Sequence, residues 1–177
     1  MRRESVLLGG ALLLALLGVI AYRQTREEPP PREAPPFFYE IDPTGVSRIE
    51  VRHAGLTEAF AWDEQGYWRF DDPGGERVDE ERFGGMAVLV AGPRIERTLP
   101  EGLDLAALGL APPRATIVVG LDSGGEFVVL IGHATPDGSA HYVKQANSAS
   151  VFLVNAAWGG VLTRLATEPP RLPAETP

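Results

Sequence analysis

The chain has 177 residues, no cysteine and a net charge of −8. The missing cysteines exclude a disulfide framework, thiolate metal sites and a lipid anchor on an N-terminal cysteine. The charge is uneven: residues 1–37 carry five Arg and four Glu, whereas residues 38–177 carry 11 basic and 20 acidic side chains, net −9. An acidic domain repels phosphate backbones, which argues against nucleic acid as a partner.

Val6 to Tyr22 reads VLLGGALLLALLGVIAY, without a charge. As a helix it spans about 25 Å at 1.5 Å per residue, at the short end of what crosses a hydrocarbon core of about 30 Å. Arg3 and Arg23 flank it and can snorkel to the interfaces. Arg2, Arg3 and the terminal amine favour a cytoplasmic N-terminus. A cleaved signal peptide, cut after Val19-Ile20-Ala21, is the rival reading, although the apolar run is long for one. Both readings expect residues 6–22 to meet a membrane and the rest of the chain to lie beyond the inner, cytoplasmic membrane, in a periplasm or another extracytoplasmic space.

Residues 23–37 (RQTREEPPPREAPPF) hold five prolines between positions 29 and 36. They predict an extended polyproline stalk reaching roughly 45 Å at about 3.1 Å per residue. The expected organisation is therefore an anchor over 1–22, a linker over 23–37, an α+β domain over 38–171 and a tail over 172–177.

Within the domain, Ser47–Arg52 alternates, with Ile49 and Val51 on one face and Arg48, Glu50 and Arg52 on the other, the signature of a half-buried strand. Thr57–Trp62 and Tyr67–Phe70 flank Asp63-Glu64-Gln65-Gly66, a hairpin turn, and Trp68 and Phe70 share a core-facing side. Asp79 is an N-cap followed by Glu80 and Glu81. Phe83, Met86, Ala87 and Val90 then recur at helical spacing up to the stop at Gly92-Pro93.

The second half repeats this order. Ala115–Leu121 and Glu126–Ile131 flank the turn Asp122–Gly125, two short strands follow at His141–Lys144 and Val151–Val154, and Asn155 caps a helix through Ala166. Its stripe is Trp158, Val161, Leu162 and Leu165. Phe83-Gly84-Gly85-Met86 also matches Trp158-Gly159-Gly160-Val161. The expected fold is an antiparallel, β-rich α+β domain after one transmembrane helix. Two tandem strand–strand–strand–helix units are one layout for it; coincidence between two ordinary α+β halves is the other. Paired glycines inside helices predict close helix–sheet contacts.

From Trp68 onward the sequence resembles the bacterial family called domain of unknown function 4340. The resemblance is carried by YWRF and the Val78-Asp79 helix start, by Leu103–Pro113 (LDLAALGLAPP), by Ala115–Leu121, by Ile131-Gly132, Pro136-Asp137-Gly138 and Tyr142-Val143, and by Val151–Val154 with the last helix. His141 departs from the family's more usual aromatic residue at that place. These motifs are structural, and no catalytic set is attached to them. The resemblance implies an anchored accessory protein beside membrane components of ABC-type export or gliding systems.

The chemistry-bearing residues give little. His133, Asp137 and His141 are spaced four and four, but Gly132, Pro136 and Gly138 break any helix that would give that spacing a metal-binding meaning. Ser123 lies in a turn without a nucleophile elbow. The acidic loop Asp71–Glu76 lacks EF-hand spacing. No catalytic, cofactor or metal residues are assigned, and no cofactor is expected. The expected function is a non-enzymatic, membrane-tethered interaction domain with an envelope protein as partner. The candidate interaction loop is Gly132–Tyr142, with Gly132, Pro136, Asp137, Gly138 and Tyr142 as its residues. A small-molecule or glycan-binding module is the alternative; it predicts a concave pocket using Trp62, Trp68 or Trp158.

Overall fold

Alternation decides where each strand of this domain puts its apolar side. In β1 (Val46–His53), Ile49 and Val51 are fully buried, while Arg48, Glu50 and Arg52 lie together on the other face, joined by ion pairs. The computed structural model describes residues 36–173, within a compact unit spanning Pro35–Pro177. The anchor expected over residues 6–22 and most of the stalk lie outside the described residues. Among the described residues no helix is long and apolar enough to cross a membrane.

The other strands are β2 (Leu56–Trp62), β3 (Trp68–Phe70), β4 (Ile95–Thr98), β5 (Ala115–Leu121), β6 (Glu126–Ala134), β7 (Ala140–Gln145) and β8 (Phe152–Asn155). They form one sheet in the order β3-β2-β1-β5-β6-β7-β8-β4, with every neighbouring pair antiparallel. The domain is thus an antiparallel, β-rich α+β structure. β1 and β5 pair at the centre, with Ile49 opposite Val119 and Val51 opposite Ile117. Ile117, Val119, Val129, Ile131, Val143 and Val154 continue the buried face.

The helices cover that face. Asp79 caps α1 (Glu80–Phe83) by accepting from the amides of Glu81 and Arg82. The single helix expected up to Val90 is two: α2 (Met86–Val90) begins after Gly85, whose φ of 80° lies in the left-handed region that glycine tolerates. The break leaves Phe83, Met86 and Val90 buried, so the apolar spacing could not reveal it. α3 (Ala156–Thr167), capped by Asn155, packs across β1, β2, β7 and β8 with Trp158, Leu162 and Leu165 buried.

β4 was not expected from the sequence. Its four residues IERT lack an alternating apolar pattern, and only Ile95 is partly shielded. It pairs with β8, and Pro36–Phe38 lies along its other side, with the Ile95 amide donating to the Pro36 carbonyl at 2.9 Å. At the opposite end, Arg77 bridges to Arg69 of β3 and Arg171 bridges to Val78. Both sheet edges are therefore backed by short segments, which leaves little open ladder.

Candidate functional site

The candidate loop residues divide between the β6–β7 turn and the strands that flank it. β6 extends to Ala134 and β7 starts at Ala140, so the expected Gly132–Tyr142 loop contracts to the turn Thr135–Ser139. Gly132 is buried inside β6, beneath the carbonyl of Leu108. Tyr142 belongs to β7, opposite Leu153. Pro136, Asp137 and Gly138 remain exposed in the turn. The Asp137 carboxylate accepts from the Thr135 hydroxyl at 2.6 Å, the Ser139 hydroxyl at 2.9 Å and the Ser139 amide at 3.1 Å. Thr135 and then Ser139 hold its pKa down at about 2. The turn, β4 and Tyr142 border an open hollow of about 520 Å³.

The two histidines of this region have separate neighbours. His141 lies against Gly159 of α3, and His133 against Gly109 in the loop before β5. His133 shares a surface hollow with His53, whose Nδ1 lies 3.0 Å from the Arg114 carbonyl. The acidic loop is likewise committed: Asp71 accepts from Arg48, and Asp72 accepts from the amides of Gly74 and Gly75. Glu50 joins Arg48 and Arg52; burial alone would raise its pKa, but the two arginines outweigh that and lower it.

The three tryptophans divide. Trp158 is a core residue whose indole N–H donates to the Leu89 carbonyl at 2.9 Å. Trp68 is partly buried and touches Phe83, with ring centroids 5.3 Å apart. Trp62 is 49% exposed. Trp62 and Trp68 are cross-strand partners, and their rings meet edge to face at 5.6 Å.

The Asp63–Gly66 turn sets that pair in place. Asp63 accepts from the amides of Gln65 and Tyr67, and its side chain is also hydrogen-bonded to Arg69. Arg69 is the main reason the Asp63 carboxyl sits below its usual range. Across from the turn stand α1 and the start of α2. Between them runs an open groove of about 330 Å³, walled by Trp62, Tyr67, Trp68, Phe83, Gly85 and Met86. The guanidinium of Arg77 lies 3.6 Å above the Tyr67 ring centre and donates to Glu80 at 2.6 Å. Exposure of Trp62 was not legible from the strand pattern, because the same alternation suits a core residue.

Among the described residues no group of three or more His, Asp or Glu is placed to hold a metal ion. A family profile described as Domain of unknown function (DUF4340) matches residues 68–167, from the start of β3 to the end of α3. No curated protein and no solved structure matches the chain. The profile covers more than half of the chain, which therefore belongs to the DUF4340 family.

Proposed function

We propose that the domain is a non-enzymatic interaction module, held outside the cytoplasm by residues 6–22 and serving an envelope complex of ABC-type transport or assembly. The uncharged run at Val6–Tyr22 and the proline-rich stretch after it support the tether. The observation that carries the interaction reading is Trp62: a large aromatic, half exposed beside Tyr67 on a turn fixed by Asp63. Rigid, amphipathic aromatics of this kind are favoured at protein contacts. The 135–139 turn is a weaker contact surface, because its one carboxylate is engaged within the turn.

Two tandem units form part of the same proposal. Outward from the β1–β5 pair, β2 and β3 on one side mirror β6 and β7 on the other. The segment after each half's helices then crosses to the other half: β4 pairs with β8, and Arg171 bridges to Val78.

The test is in-cell photo-crosslinking of the full-length chain, with a photoreactive residue at Trp62 or at Pro136. Adducts from position 62 to an integral membrane protein of the envelope are expected. If neither position yields a protein adduct, the reading is wrong. The second reading, glycan binding, is favoured by the exposed Trp62 indole close to Glu80, since sugar rings stack on indoles and bond to carboxylates. Quenching or shift of tryptophan fluorescence by oligosaccharide would support it.

A further inference from the structure

The groove beside Trp62 lies in the most acidic part of the chain. Residues 58–82 hold nine of its carboxylates and three arginines, and Arg48 and Arg171 reach into the same region to pair with Asp71 and with Glu58, Asp72 and Glu76, which leaves it net acidic. The three arginines within it are spoken for: Arg69 is bonded to Asp63, Arg77 to Glu80, and Arg82 to the carbonyls of Glu168 and Pro169. A groove in such surroundings concentrates cations and repels anions over about 8–10 Å at physiological salt.

Its aromatic walls also suit a cation. Two rings at this end of the sheet already carry guanidinium groups. Arg77 lies 3.6 Å over Tyr67 and is tied to Glu80, and Arg171 lies 4.2 Å over Phe70, with Glu76, Asp72 and Glu58 within 3.4 to 3.9 Å of it. Each combines an aromatic face with nearby carboxylate, the arrangement that holds planar guanidinium best. Trp62, the exposed indole at the mouth of the groove, offers a third such face.

We propose that this groove is a docking site for an arginine-bearing segment of a partner protein, with one guanidinium stacked on Trp62 and paired with Glu80, the carboxylate of the groove wall. The inference rests on the interaction reading above and names the chemistry of the partner. The groove is open to solvent and walled by the β2–β3 hairpin on one side and the helix break at Gly85 on the other, so a segment of chain can enter it from outside. Arg77 occupies part of the same surface, so it competes with the incoming cation for Tyr67 and Glu80.

Full-length chain in mild detergent is titrated, by tryptophan fluorescence and calorimetry, with an octapeptide of alternating Arg and Pro. The matched Glu-Pro octapeptide and a chito-oligosaccharide are the controls. The Arg-Pro peptide is expected to bind and to weaken as salt rises. Trp62→Ala is expected to weaken it about ten-fold, in line with a cation–π contact, and Arg77→Ala to tighten it. Trp62 is half exposed, so its loss should cost the edge-to-face contact with Trp68 and leave the domain folded, with a small drop in melting temperature. Absence of Arg-Pro binding, equal binding of Glu-Pro, or indifference to both substitutions overturns the inference. Saccharide binding without peptide binding also overturns it, in favour of the second reading. If position 62 still crosslinks to an envelope protein in cells while the Arg-Pro peptide fails, the interaction reading stands and only the basic chemistry of the partner is refuted.

Discussion

His141 occupies the space that a side chain at position 159 would need: a Cβ on Gly159 would stand 2.8 Å from Cδ2 of the imidazole. The next residue, Gly160, has open space in the same position. The paired glycines of α3 therefore have different duties. Gly160→Ala should stabilise the domain by about 0.5–1 kcal/mol through helix propensity. Gly159→Ala should destabilise it, and His141→Ala in the same chain should recover part of the loss. Thermal unfolding separates the two; equal shifts at 159 and 160 would contradict the contact.

Gly132 makes a close backbone approach inside β6. A Cβ there would lie 2.2 Å from the Leu108 carbonyl oxygen, which accepts from the His133 amide at 2.8 Å. Backbone cannot yield as a side chain does, so Gly132→Ala should cost roughly 2 kcal/mol through overpacking. Denaturant midpoints would show it, and an unchanged midpoint would mean that the Leu103–Pro113 segment does not press on β6.

Asp137 makes the 135–139 turn sensitive to acid. Its folded pKa of about 2 lies below the ordinary 3.8. The stabilisation is therefore fully present above about pH 4 and is lost as pH falls towards 2. The protection factor of the Ser139 amide, its exchange rate corrected for the intrinsic rate at each pH, should fall over that window in the native chain. Asp137→Ala should show the low protection at neutral pH and no further change in it on acidification.

The strands and caps were legible because they depend on local chemistry. Ile49 and Val51 alternate with charges, Asp79 and Asn155 are capping residues, and glycines mark the turns. The hidden parts depend on tertiary partners. β4 exists because β8 and Pro36–Phe38 supply its hydrogen bonds, not because IERT looks like a strand. The break at Gly85 keeps the same apolar residues buried as an unbroken helix would. The candidate site was half legible: tryptophans were singled out, but which of the three faces solvent depends on where the sheet ends.

Glu50 sits on the open face of the sheet between two arginines, accepting from Arg48 at 2.7 Å and Arg52 at 2.5 Å. Glu50→Gln should cost about 1–2 kcal/mol, since it leaves two guanidinium groups side by side with only part of their hydrogen bonding. High salt should narrow that difference by screening the arginines from each other. A variant as stable as the parent at low salt would show that the network is incidental.

Everything proposed for Trp62 and its groove depends on which side of the membrane the domain occupies. Trypsin added to intact spheroplasts should cut among Arg23, Arg26 and Arg32 of the stalk and release a soluble fragment carrying the domain. A chain that stays full length until the cells are lysed would contradict the tethered, outward-facing arrangement.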